Sequence, residues 1–283
     1  MIKFFRRFRQ KLISENLPSG QAGKFSKYLL YAIGEIVLVM IGILLALQVN
    51  NWNENKKKSK IGKQYLTEMR AELEVDIKQL DFFINDLKKS IKNQEAALNT
   101  KDISKLSIDS LSKIISSINL DFKTSELTYN KMNNLGITKL SNNDSLNLRM
   151  TKYYNNVVVN LKLGMNFIFN DLVKRTNFYF YEQNKIDINS LYSTNREFPS
   201  LYNQTEEESE RELKSNIVEF IYSIKGKNLV MYNLNGKKYS LKLLIYFQQE
   251  TIKLLKAVYD ELKTYNPKIN PLPTLPALTV DLD

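Results

Sequence analysis

From Tyr28 to Val49 the chain reads YLLYAIGEIVLVMIGILLALQV, 22 residues whose one acid or base is Glu35. At 1.5 Å of rise per residue this makes a helix of about 33 Å, against a bilayer hydrocarbon core of ~30 Å. Hydrocarbon offers no partner to a free backbone amide, so the segment is expected to span as a helix. Tyr28 and Tyr31 at one end and Trp52 beyond the other stand where amphipathic rings meet headgroups, bracketed by Lys24, Lys27, Lys56, Lys57 and Lys58 as interfacial anchors. The long basic lead argues against a cleaved signal peptide, and a buried helix of a soluble protein is the bland alternative.

The formal charge of +11 would suit a nucleic-acid binder if it lay on a folded face. It does not. Residues 1–63 hold 12 Lys/Arg against Glu15, Glu35 and Glu54, leaving 29 Lys/Arg and 27 Asp/Glu in the remainder. The basic character belongs to the membrane flanks, and nucleic acid is not expected as a partner. Seven Lys/Arg precede the span and six follow it within about 20 residues, so a simple count barely orients it. A short basic tail is costly to translocate whereas a long domain crosses largely regardless of charge, which puts the N-terminus inside and the large domain outside the cytoplasm. The chain has no cysteine and no histidine, which excludes disulfides, thiolate nucleophiles, imidazole bases and the usual zinc ligand sets. With no G-x-S-x-G, Walker or glycine-rich phosphate loop, the expectation is a non-enzymatic protein with no cofactor and no metal.

In the lead MIKFFRRFRQKLI, Phe5, Phe8 and Leu12 recur at helical spacing, with Arg6, Arg7, Arg9 and Lys11 on the remaining surface. This suits a short helix lying on an anionic leaflet, or equally a basic tail that only fixes topology. Within the span, Glu35, Gly42 and Ala46 share a helix face, with Leu38 and Val49 close by. Gly42 and Ala46 form the small-x-x-x-small spacing that lets two helices approach closely. An intramembrane carboxyl on such a face suits a hydrogen bond across an oligomer interface, a proton or ion site, or a side chain reaching back to headgroup water.

The run from Lys24 to Glu54, KFSKYLLYAIGEIVLVMIGILLALQVNNWNE, closely resembles the opening of an uncharacterised family of membrane-anchored proteins of Bacteroidetes, with I-G-E and Q-V-N-N-W-N-E as its specific parts. A weaker resemblance extends to Tyr129, Met132, Gly136, Leu146, Tyr153 and Tyr154. It implies a membrane location and no established activity, cofactor or site. With the orientation inferred from the flanks, the expected location is a bacterial inner membrane with the main domain in the periplasm.

Beyond the membrane, Leu73, Ile77, Leu80, Ile84, Leu87, Ile91, Gln94 and Leu98 alternate by fours and threes, a heptad seam on a helix from about Ile61 to Leu98. Phe82 and Phe83 widen it toward an intramolecular bundle rather than a bare coiled-coil stalk. Shorter helices are expected from Asp109 to Leu120 and from Thr124 to Asn134, the latter stopped by Asn133, Asn134 and Gly136. A long helix should run from Ser141–Ser145 caps to about Gln183, then a loop from Asn184 to Glu208. The acids from Glu206 to Glu212 read as a solvated helix start, since contiguous carboxylates point apart. Helices to about Gly226 and from Lys238 to Tyr265 follow, separated by a turn from Asn233 to Gly236, with a hairpin of the flanking segments as the alternative. Four of six prolines lie past Asn266 in a tail read as a disordered end.

The predicted class is therefore all-α: one N-terminal transmembrane helix followed by a helical bundle with long, coiled-coil-like helices. Its divisions are a basic tail (1–27), the span (28–49), a basic linker (50–63), the helical domain (64–265) and a proline-rich tail (266–283). The expected partners are the lipid bilayer and a second copy or another membrane protein, and the expected role is structural or interaction-based. The alternative is a signal-sensing or ion-coupled, stator-like subunit using Glu35.

Overall fold

The computed structural model of the chain describes residues 21–116, 122–168 and 206–276 and the single positions 170, 174, 176 and 186. The expected surface helix of the lead, with Arg6, Arg7, Arg9 and Lys11, lies outside these residues, as does most of the expected loop before Glu206. The chain forms two compact units, Met1–Lys60 and Ile61–Asp283. Among the described residues the elements are helical, with no strand.

Helix α1 (Gln21–Leu98) contributes to both units. In the first unit its described side chains are solvent-exposed, and its most apolar 18-residue window has a mean hydropathy of 2.4 with none of it buried. This is a helix long and apolar enough to cross a membrane. In the second unit the predicted seam is buried: Leu73, Ile77, Leu80, Ile84, Leu87, Ile91 and Gln94 are all enclosed, and Leu66 and Met69 extend the row toward the N-terminus. Each such apolar side chain removed from water stabilises by about 1.5–3 kcal/mol before entropy is counted. Phe83 joins the core while its neighbour Phe82 stays outside it, 67% exposed.

A 3-10 turn (Ile103–Lys105) leads to α2 (Ile108–Ile115), whose N-cap Ser107 accepts from Ser110 N at 3.2 Å. The expected first helix thus starts on time and ends five residues early, at Ile115. Helix α3 (Leu127–Asn134) stops as predicted, with Gly136 at φ 67° supplying the left-handed residue that closes a helix end. Helix α4 (Asp144–Lys152), a π-helical segment (Tyr153–Val157) and α5 (Val158–Phe167) follow without a break. The long helix expected there carries a wide turn at Tyr153–Val157 that buries the adjacent Tyr153 and Tyr154 together, and most of its expected run from 169 to Gln183 lies outside the described residues.

Helix α6 (Glu206–Tyr222) begins in the acid run, as predicted. Helix α7 (Ile224–Tyr265) overturns the expected turn at 233–236 and the hairpin alternative, because it runs unbroken through both. The chain turns earlier, at Ser223, whose hydroxyl accepts from Gly226 N at 3.0 Å. A Cβ at Gly226 would sit 1.9 Å from Phe220 O, so only glycine allows this corner. Asn233 does not act as a turn residue because its amide is spent on distant partners. Helix α7 runs antiparallel to the domain part of α1: Arg70 faces Tyr259 near one end, and Gln94 and Glu95 meet Lys237 and Lys238 toward the other. After α7 the tail is not a free end through Pro276, since Ile269, Leu272 and Leu275 pack against the main core.

Candidate functional site: a membrane face and two buried polar clamps

All five residues of the predicted interaction face, Glu35, Leu38, Gly42, Ala46 and Val49, are exposed on α1. A Cβ added at Gly42 would meet nothing within 4 Å, so none of the described residues fills the hollow there. Tyr28, Tyr31 and Trp52 are exposed too, and Lys56 Nζ stands 5.2 Å from the Trp52 ring centroid, over the ring. Lys57 and Lys58 are exposed, whereas Lys24 and Lys27 lie in the helix with side chains outside the described set.

Two polar clusters inside the domain have no counterpart in the sequence expectations. The first serves the N-terminus of α3, whose N-cap Glu126 makes no side-chain capping bond. Glu72 and Asp76, one turn apart on α1, supply the missing acceptors. Thr128 N and Oγ1 donate to Glu72 Oε1 at 3.0 and 2.5 Å. Thr124 Oγ1 donates to Asp76 Oδ2 at 2.7 Å, and Ser125 N donates to both Asp76 oxygens at 3.2 Å. Carboxylates at a helix start satisfy orphan amides and oppose the positive end of the dipole. Burial nevertheless dominates at Asp76, which is 2% exposed: its carboxyl is pushed up to about 6 even though the Thr124 and Ser125 bonds pull the other way. Glu126, a second acid near Asp76, is paired with Lys162 of α5.

Beside this clamp the π-helical turn carries an aromatic row. Tyr154 stacks on Tyr129 with centroids 4.2 Å apart, Tyr153 lies 5.7 Å from Phe247, and Phe247 contacts Phe122 at 5.8 Å. Thr251 Oγ1 spends its proton on Phe247 O at 2.7 Å, so Tyr153 donates across the 2.9 Å contact with Thr251. Burial raises both tyrosine hydroxyls well above the ordinary phenol range. Tyr154 Oη and Glu72 Oε2 are buried without a hydrogen-bond partner.

The second cluster serves the opposite end of a different helix. Gln94 Nε2 donates to Ile114 O at 2.8 Å and Asn233 Nδ2 donates to Ile115 O at 2.9 Å, capping the last carbonyls of α2. Lys237 Nζ donates to Gln94 Oε1 at 2.9 Å, and Asn233 Oδ1 accepts from Thr176 at 3.0 Å. A cation behind a helix C-terminus suits the dipole. Lys237 is 1% exposed, and burial alone pushes its ammonium down to about 8.

Both clusters spend their polar atoms mainly on backbone groups of neighbouring helices, so they position helices. Among the described residues no group of three or more acids gathers as a metal site. A family described as "Family of unknown function (DUF6090)" matches residues 35–191, just over half of the chain. That stretch starts at Glu35 and holds the whole acid clamp, but of the second clamp's side chains on α1 and α7 it holds only Gln94. No curated protein and no solved structure matches the chain.

Proposed function

The chain belongs to the DUF6090 family, whose description assigns no activity, and on that premise we propose that it is a membrane-anchored interaction protein that self-associates through the Glu35 face and presents its helical domain outside the cytoplasm. The observation that carries this reading is the open hollow at Gly42 on a fully exposed apolar helix. Ala46 stands one turn on and Glu35 about two turns back, so a second helix could pack backbone to backbone and meet the Glu35 carboxyl as a hydrogen-bonding group. The bilayer is the first partner and a second copy the next. The seven basic residues before the span favour a cytoplasmic N-terminus, which in a bacterial inner membrane leaves the domain in the periplasm. No cofactor or catalytic group is required.

Energy transfer between donor- and acceptor-labelled full-length chains in vesicles tests this. Gly42→Ile should weaken association about tenfold, equivalent to ~1.4 kcal/mol, while Glu35→Gln should preserve it because the amide still donates. Transfer insensitive to Gly42→Ile would remove the face from the account. Loss of association in Glu35→Gln would instead favour the ion-coupled alternative.

A further inference from the structure

The tail after α7 shows a regularity of its own. Among residues 266–276, exposure falls only at Ile269, Leu272 and Leu275, every third position, and at the last residue, Pro276. Asn266 to Ile269 form a turn, with Ile269 N donating to Asn266 O at 3.1 Å. Beyond it Pro271, Pro273 and Pro276 fix their own φ and push the preceding residues to extended backbone, the conditions for a polyproline helix with three residues per turn from Ile269 on. One face of such a helix would then carry Ile269, Leu272 and Leu275, the three residues packed on the core.

The receiving surface is organised for a peptide. Arg70 is gripped by Glu74 at 2.7 Å through Nε and stands 5.2 Å from the Tyr259 ring centroid, and its Nη2 donates to the carbonyl of Pro271 at 3.1 Å. Glu74, Ile77, Lys78 and Asp81 of α1 continue the trough under Pro273 and Pro276. At Pro276 the trough opens into a cavity of about 230 Å³ walled by Asp81, Asn85, Lys88, Gln248 and Gln249. Gln248, one of its walls, has its Nε2 buried with no acceptor.

We propose that the trough between α1 and α7 is a binding site for an extended, proline-rich peptide with an apolar side chain at every third residue, filled in cis by the chain's own residues 269–276 as a releasable latch. Three half-buried side chains and one bond from Arg70 are a small contact, held by a short tether whose effective concentration is on the order of millimolar. The latch therefore closes by proximity, and a free copy of the segment binds when the cis copy is removed. This stands apart from the membrane face.

The test uses the membrane-anchored chain in detergent, both intact and shortened to end at Asn266, and a fluorescent peptide of residues 266–276. Saturable binding to the shortened chain, at least tenfold weaker to the intact chain, is expected. A peptide with Leu272→Asp and Leu275→Asp, or with the three apolar residues moved to every second position, should lose at least tenfold. An intact chain carrying Leu272→Asp and Leu275→Asp in its own tail should bind the peptide as the shortened chain does. No saturable binding to either opened variant, equal binding to intact and opened chains, or indifference to the spacing would each overturn the proposal. So would unfolding of both opened variants, because the segment would then be core rather than ligand.

Discussion

Asp76 and Lys237 lie in the same domain, both are almost fully enclosed, and both serve the end of a short helix that cannot finish its own hydrogen bonds. They differ in how directly they do so. Asp76 accepts from a backbone amide and a hydroxyl itself, whereas Lys237 acts through Gln94, and it is the Gln94 amide that reaches the helix carbonyl. Burial works against the charged form of each, so their ionisations are displaced in opposite directions. The contrast teaches that a buried charge touching backbone directly is hard to replace, while one that acts through a neutral amide is replaceable provided the amide stays.

The largest effect expected from that difference is at Gln94. Gln94→Leu strands the Ile114 carbonyl and the Lys237 amine and should cost about 3 kcal/mol in denaturant unfolding in detergent. Lys237→Met should fall within about 1 kcal/mol of the parent, and adding it to Gln94→Leu should recover roughly 2 kcal/mol. A double variant no better than Gln94→Leu alone would break the comparison. Next, Asp76→Ala leaves Thr124 and Ser125 without acceptors and should cost about 2 kcal/mol, with Asp76→Asn much milder because one acceptor survives.

Titration separates the clamps more finely. Folded Asp76 ionises at about 6 against an ordinary 3.8, so it holds its proton more tightly when folded. Its carboxylate penalty is full above pH 6, shrinks as pH falls through 6, and is gone below 3.8. Folded Lys237 ionises at about 8 against 10.5, so its penalty is full below 8 and shrinks as pH rises through 8 toward 10.5. Relative to Asp76→Asn, the parent should gain about 1 kcal/mol between pH 7 and 5; relative to Lys237→Met, it should gain about the same between pH 7.5 and 9. Parallel pH curves in either pair would contradict the assigned cause. The smallest effects are at the tyrosines: Tyr153→Phe should cost about 1 kcal/mol through its lost bond to Thr251, and Tyr154→Phe less than about 0.5 kcal/mol because its hydroxyl has no partner to lose.

Period and composition made the α1 seam legible, since a 4-3 alternation of Leu and Ile needs no knowledge of its partner. The same alternation runs through α7 as Val230, Leu234, Lys237, Leu241, Leu244, Gln248, Thr251, Leu255, Val258 and Leu262. It was hidden because Asn233 and Gly236 resemble a turn and because Lys237, Gln248 and Thr251 interrupt the apolar pattern. Local propensity lost there to tertiary bonds from Asn233 to Ile115 and Thr176. Glu72 and Asp76 were illegible for a related reason. Beside Glu74 they look like a solvated helix face, and only a segment some 50 residues later determines which of them is buried. The tail's composition was plain, but its seat depends on a three-residue period that only matters once a trough exists to receive it. Glu35 and Gly42 stood out because hydrocarbon tolerates so few alternatives.

Contact through that membrane face is directly measurable, because the chain has no native cysteine. Single cysteines placed in turn from position 33 to 49 of the full chain, oxidised in intact membranes, should give disulfide dimers that peak at Glu35, Leu38, Gly42, Ala46 and Val49 and fall between them. Dimers spread evenly along the helix, or peaks on the opposite face, would contradict the account.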